Sequence, residues 1–203
     1  MKQSNSLEHE DLSRRRFIAG FSKLVGTGVA VSLLAGNAVS TALAYTPNPE
    51  SANAKGKILS KSQMQILRDM CSVVIPVTDT PGAAEVDAHG FVDNQLAVCT
   101  PKEVQNRAKT FLDRIDKSAL KRHQRVFTGL TKSQQFQMLT DIELAQSEFN
   151  QRDRNNFKLL KRLIAFGYYT SEIGATKELR YLPVPGGFKG SIPYKNNDRA
   201  WAY

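Results

Sequence analysis

Helical periodicity across residues 60–168 constrains the fold of this chain more than any other feature. Apolar side chains recur there every three or four positions, as they do along one face of an α-helix. The first such face consists of Met64, Leu67, Met70, Cys71 and Val74. Before the C-terminal stretch, no segment alternates polar and apolar residues convincingly over the length of a strand. The pattern predicts an all-α fold, a small helical domain of about five helices.

Start and stop signals divide this region into separate helices. Pro76 is predicted to end the first helix, because its ring clashes with the preceding turn. Thr100 and Glu103 are spaced as a capping box, in which two side chains satisfy free backbone donors. A shorter second helix is predicted over residues 87–99. The predicted helix starts are Ser60, Asp87, Thr100, Thr131 or Ser133, and Asp153.

The chain from about residue 176 is predicted to form a long irregular arm rich in proline and aromatic residues. Prolines two positions apart force an extended path that cannot join a central strand. Proline also lowers the entropic cost of docking, and large aromatic side chains are favoured anchors at interfaces. Tyr181 and Phe188 are expected to pack against the helices of this chain, whereas Trp201 is expected to contact a partner. The candidate interface residues are Tyr181, Pro183, Pro185, Phe188, Tyr194 and Trp201.

The N-terminus carries the features of a bacterial export signal. Arg14 and Arg15 precede Phe17 and a weakly apolar stretch, the pattern of a twin-arginine leader. Ala42 and Ala44 then form a small-x-small cleavage site. The predicted organisation is a signal peptide at 1–44, a flexible lead-in at 45–58 and a helical domain at 59–203. A membrane anchor is the second interpretation, although glycines and Lys23 weaken the apolar stretch.

The expected mature chain is basic. Residues 45–203 hold 23 of the 28 basic residues and 16 of the 19 acidic ones, a net charge of +7. This charge favours an acidic partner surface or anionic lipid, although it could serve solubility alone. Nucleic acid is not expected as a partner, because no recognition motif for it is present.

Two cysteines, Cys71 and Cys99, lie near the ends of the first two predicted helices. In an oxidising compartment two cysteines commonly pair, and an antiparallel helix pair would bring these two close. An internal disulfide is therefore predicted. Burial as small apolar residues and a bond to another chain remain the alternatives.

Signatures of catalysis are missing from the sequence. His89 and His123 do not belong to a metal-ligand cluster, and no haem-attachment, iron–sulfur, dinucleotide-binding or nucleophile-elbow motif is present. We therefore predict no catalytic, cofactor-binding or metal-binding residues in this chain. A second interpretation is a stand-alone enzyme or ligand-binding protein with a pocket near Thr78, Asp79 and Glu85.

Three stretches resemble a known family. They are residues 75–83 (IPVTDTPGA), residues 167–172 (GYYTSE) and residues 180–186 (RYLPVPG). Together with the leader they resemble the gluconate 2-dehydrogenase subunit 3 family over residues 59–201. The 75–83 stretch is the most specific part, because a helix stop, a polar loop and a tight turn follow in that order.

The resemblance implies a small accessory subunit without a redox centre. Its expected partners are a large FAD-dependent dehydrogenase of the GMC type, a multihaem cytochrome c subunit and the twin-arginine translocase. FAD would be held by the dehydrogenase and haem c by the cytochrome. The complex would be periplasmic, at the outer face of the inner membrane, and the leader of this chain would carry the flavoprotein across it.

Overall fold

The computed structural model describes residues 45–48, 50–182, 186–187, 191, 193 and 198–201. The chain divides into two units, Met1–Thr46 and Pro47–Tyr203, and the fold below is that of the second. Several residues singled out above lie outside the described residues: Arg14, Arg15, Phe17, Ala42, Ala44, Pro183, Pro185, Phe188 and Tyr194.

The described fold is all-α, as predicted. Its five α-helices are α1 (Lys61–Val74), α2 (Ala88–Cys99), α3 (Lys102–His123), α4 (Lys132–Leu144) and α5 (Gln151–Tyr169). Short 3₁₀ turns lie at Ser51–Asn53 and Phe127–Gly129, and a π-helical turn lies at Gly174–Glu178. The described residues contain no β-strand, only an isolated bridge between Arg180 and Trp201.

Three helices start with a complete capping box. The Ser60 hydroxyl accepts from the Gln63 backbone N–H, and the Gln63 side chain accepts from the Ser60 N–H. Thr131, one of the two predicted caps, serves α4 in the same way. Helix α5 starts earlier than predicted: Asn150 is its cap, and Asp153 is the third residue, whose carboxylate reaches back to the Asn150 N–H.

The predicted cap of α3 is wrong. Pro101 occupies the cap position of this helix, and no side chain caps its free N–H groups. The Thr100 hydroxyl instead donates to the Leu96 carbonyl at 2.7 Å. Thr100 follows the last residue of α2, and its side chain bonds back to that helix instead of capping α3.

Helices α1 and α5 organise the core, since each packs against every other helix. The described core is continuous and draws on all five helices, on the Phe127 turn and on Leu59. Its largest fully buried side chains are Tyr168, Phe111, Phe127, Leu59, Met64, Leu67, Met70, Leu96, Leu112, Ile115, Met138 and Ile142.

Arg122 connects the end of α3 to the loop between α4 and α5. Its guanidinium donates to Glu148 through two nitrogens and to the Asp141 carboxylate at 2.7 Å. The same group lies 5.3 Å from the centroid of the Phe149 ring. Hydrogen bonds from Arg122 lower the pKa of Glu148 below its ordinary value. A carboxyl with a lowered pKa in the folded state stabilises the fold above its unfolded pKa, and this contribution is lost as the pH falls.

We therefore expect acid to destabilise the wild-type chain more steeply than an Arg122→Met variant. Both free energies of unfolding should be flat near neutral pH. Below pH 4.5, the ordinary pKa of a glutamate side chain, the free energy of unfolding of the wild type should fall faster. The reason is that Glu148 takes up a proton more readily in the unfolded state than in the folded state. Urea unfolding at a series of pH values measures both curves. Arg125→Met, a change of the exposed neighbouring arginine, should leave the wild-type slope intact; equal slopes for Arg122→Met and wild type would contradict the prediction.

Candidate functional site

Two buried carboxylates at α2 hold the segment that precedes α1. We call the described residues 48 and 50–59 the N-terminal strap. Asp93 accepts hydrogen bonds from the backbone N–H groups of Lys57, Ile58 and Leu59, the last at 3.0 Å. Asp87, the cap of α2, accepts from the Asn48 N–H at 2.7 Å and from the Ser51 hydroxyl. The segment predicted as a flexible lead-in is thus hydrogen-bonded to the domain near both ends of the strap.

Ser51, His89 and Asp87 come together at this strap without forming a catalytic triad. The Ser51 hydroxyl lies 2.8 Å from His89 Nε2, and Asp87 Oδ1 lies 3.3 Å from the same nitrogen. In a Ser–His–Asp triad the carboxylate binds the other ring nitrogen, where it orients the imidazole. His89 Nδ1 is buried and has no hydrogen-bond partner among the described residues. Burial lowers the pKa of His89, so the ring is held neutral as a structural partner of Ser51.

The 75–83 loop returns the chain from α1 to α2 and binds the end of α5. The Ala83 N–H donates to the Ile75 carbonyl at 2.9 Å, which closes the loop. The Thr80 hydroxyl donates to Glu178 at 2.9 Å, and the Tyr168 hydroxyl donates to the Pro81 carbonyl at 3.1 Å. The loop therefore connects two of the stretches on which the family resemblance rests.

The side chains proposed for a stand-alone pocket lie at the surface of the turn between α1 and α2. Thr78, Asp79 and Glu85 are all exposed, and the polar contacts of this loop are made by Thr80 and by backbone groups. These residues are better explained as part of the turn than as a binding site.

The described end of the C-terminal arm, at Ala200 and Trp201, contacts Arg180 near the start of the arm. The guanidinium of Arg180 lies 4.2 Å from the centroid of the Trp201 ring, and the Arg180 N–H donates to the Ala200 carbonyl at 2.7 Å. Trp201 nevertheless remains 44% exposed and Tyr181 51% exposed. Trp201, for which partner contact was favoured, thus has a contact within the chain, while Tyr181, for which self-packing was favoured, presents half of its surface to solvent.

The predicted internal disulfide is absent, because both cysteines are free. Cys71 lies on the core face of α1 and is fully buried, whereas Cys99 is exposed at the end of α2. Burial, and after it the nearby Asp87 carboxylate, raises the pKa of the Cys71 thiol far above its ordinary value. A thiol that resists deprotonation is a poor nucleophile, so Cys71 behaves as a small apolar core residue.

Within the described ranges, His, Cys, Asp and Glu do not assemble into a group of three that could hold a metal ion. None of the helices in those ranges combines the length and apolar character needed to cross a membrane.

Comparison with known proteins identifies the family of the chain. Residues 61–186 match the family model described as gluconate 2-dehydrogenase subunit 3. No curated protein and no solved structure matches the sequence. The match begins at the first residue of α1 and extends beyond the π-helical turn, so it includes all five helices and the 75–83 loop. Because it covers more than half of the sequence, this chain belongs to the gluconate 2-dehydrogenase subunit 3 family and is an accessory subunit of a dehydrogenase complex.

Proposed function

We propose that this chain is the non-catalytic small subunit of a periplasmic, membrane-associated FAD-dependent dehydrogenase that oxidises gluconate, glucose or a related sugar acid. It escorts the large flavoprotein through the twin-arginine pathway and stabilises it after export. The observation that carries the proposal is the family match over residues 61–186. FAD belongs to the flavoprotein in this proposal, and haem c to a cytochrome subunit that passes electrons onward.

The paired arginines of the leader support the escort role. A twin-arginine leader is suited to cargo that is already folded, and a flavoprotein with its cofactor inserted is cargo of that kind. Arg14, Arg15 and Phe17 supply the recognition pattern, and Ala42 and Ala44 the cleavage site. The net charge of +7 on residues 45–203 favours an acidic partner surface.

The experiment co-expresses the full chain with the flavoprotein dehydrogenase that we expect a neighbouring gene to encode, and separates periplasm from cytoplasm. When Arg14 and Arg15 are both changed to Lys, we expect the flavoprotein and its dye-linked gluconate oxidation to move from the periplasm to the cytoplasm. Arg16→Lys is the matched control and should leave the distribution unchanged, because this position lies between the paired arginines and Phe17.

Two outcomes would contradict the proposal. A flavoprotein that still reaches the periplasm with the double variant would exclude the escort role. A purified small subunit that binds flavin or oxidises a sugar without the flavoprotein would favour the stand-alone enzyme or ligand-binding protein instead.

A further inference from the structure

An apolar groove of about 450 Å³ lies between α4, α5 and the end of α1. Helix α4 contributes Phe136 and Leu144, helix α5 contributes Tyr169, and α1 contributes Val73 and Val74. Phe136 is 62% exposed, Leu144 54% and Tyr169 42%. Large apolar side chains exposed together along one groove indicate an interaction surface, whereas single ones scattered over a surface do not.

The charges in the groove itself cancel. Among the described residues that line it, Glu143 is the one acidic side chain and Lys161 the one basic side chain, and Lys161 Nζ lies 2.8 Å from Glu143 Oε2. This pair leaves the interior of the groove neutral, so the charge that a partner meets is set by the rim.

The rim of the groove is basic. Lys132 lies one turn before Phe136 on α4, and its ammonium donates to the hydroxyl of Ser72, the residue before Val73. Lys158 and Arg162 are exposed on α5, three residues before and one residue after Lys161. The described residues provide no ion-pair partner for Lys132, Lys158 or Arg162. Three cations without an ion-pair partner among the described residues thus lie on α4 and α5, the helices that line the groove. They outnumber the exposed Glu172 carboxylate that follows Tyr169, and they favour an acidic partner.

This positive charge argues against two other candidate occupants of the groove, a second copy of the chain and its own leader. A second copy would bring its own three cations to the same interface, because a twofold contact pairs a surface with itself. The leader of this chain is also basic, with five basic residues against three acidic ones in residues 1–44. Both would meet like charges at the rim, where juxtaposed like charges oppose association.

We propose that the groove docks an apolar ridge flanked by acidic side chains on the flavoprotein dehydrogenase subunit. This inference rests on the proposed function and adds the surface through which the two subunits meet. Phe136 and Leu144 supply the buried contact, and Lys132, Lys158 and Arg162 pair with the acidic flanks of the ridge.

The test measures binding of the full chain to the co-expressed flavoprotein by co-purification and by titration at low and high salt. A Phe136→Glu, Leu144→Glu double variant should bind about tenfold more weakly or worse, because it places two carboxylates where apolar contact is needed. A Lys158→Glu, Arg162→Glu double variant should also bind more weakly, and added salt should no longer weaken its binding, because two carboxylates then face the acidic flanks of the ridge. Val98→Glu is the matched control, since Val98 is 53% exposed and does not line the groove; its affinity should not change. Circular dichroism confirms that each variant is folded.

The possible outcomes distinguish a wrong assignment of the groove from a wrong proposed function. If the wild type binds the flavoprotein and both double variants bind as tightly, the groove assignment is wrong while the proposed function stands. Failure of the wild type itself to bind the flavoprotein would exclude both. A Phe136→Glu, Leu144→Glu variant that turns a wild-type dimer into a monomer, with flavoprotein binding unchanged, would assign the groove to a second copy and overturn the proposal.

Discussion

Replacing Asp93 with Ala is expected to lower the free energy of unfolding by about 3–5 kcal/mol, one of the two largest effects we predict for this chain. Asp93 is only 3% exposed, yet it accepts hydrogen bonds from three consecutive backbone N–H groups of the N-terminal strap. An alanine removes every acceptor at once and leaves these donors without partners in a part-buried place. Each unsatisfied buried group costs about 1–3 kcal/mol, so the losses add to a large fraction of the stability of a domain.

The Asn variant distinguishes loss of charge from loss of acceptors. Asp93→Asn retains one oxygen, which can still serve Ile58 and Leu59, but presents an amide donor to the Lys57 N–H. We expect about half the effect of the Ala variant. Urea unfolding of the full chain measures the free energies of unfolding. Backbone hydrogen exchange of residues 57–59 should be fastest in the Ala variant, slower in the Asn variant and slowest in the wild type. Glu85→Ala, at an exposed carboxylate just before α2, is the control; an Asp93→Ala midpoint equal to that of the control would show that the strap bonds do not stabilise the fold.

The second large effect is expected for Gly82→Ala, at about 2–4 kcal/mol. A Cβ atom on Gly82 would lie 2.6 Å from the Ile75 carbonyl oxygen and 2.8 Å from the Val77 nitrogen. Both atoms belong to the backbone, so no flexible side chain can move aside. The loop would have to open, which breaks the bond from the Ala83 N–H to Ile75 and displaces Thr80 and Pro81 from their partners near α5.

Gly129→Ala provides a matched comparison for this prediction. Its Cβ would meet Val126 at 3.7 Å, an ordinary contact distance. We expect this substitution to be neutral within about 0.5 kcal/mol, or slightly stabilising, because alanine has less backbone freedom in the unfolded chain. Thermal and urea unfolding of both variants measure the difference. If the two substitutions cost the same, close approach of the backbone at Gly82 is not what requires glycine there.

Local signals predicted the parts of the fold that depend on neighbours in the sequence. The Ser60 capping box and the stop at Pro76 bound α1 almost as predicted, because both act within one turn of the helix. The class of the fold also followed from periodicity alone. Residues 75–83 were the most specific part of the family resemblance, and within them a Cβ on Gly82 would collide with backbone atoms.

The direction of each helical face was harder to predict. In α4 the apolar Phe136 is 62% exposed, whereas the polar Gln135 beside it is only 1% exposed. The Gln135 amide NH2 donates to the Asp69 carboxylate at 3.1 Å and to the Phe127 carbonyl at 3.0 Å, whereas its Oε1 is buried without a hydrogen-bond partner among the described residues. Those partners come from α1 and from the turn before α4, and periodicity within one helix carries no information about them.

The N-terminal strap was missed for a similar reason. Residues 45–57 are polar and contain two prolines, which is typical of flexible segments. The groups that hold the strap are Asp87 and Asp93, more than 30 residues further along the chain. A weak signal was present, since Asp93 and Asn94 interrupt an otherwise apolar stretch of α2 and such buried polar groups need partners.

The strap also determines where the folding unit of this family member starts. The family match begins at Lys61, one residue after the cap of α1, and therefore leaves out residues 48–59. A fragment cut at that boundary would keep Asp87, His89 and Asp93 in the interior but discard Ser51 and the backbone donors that satisfy them. At its N-terminal end, the homologous region thus lacks a short segment that supplies the hydrogen-bond partners of three buried polar side chains.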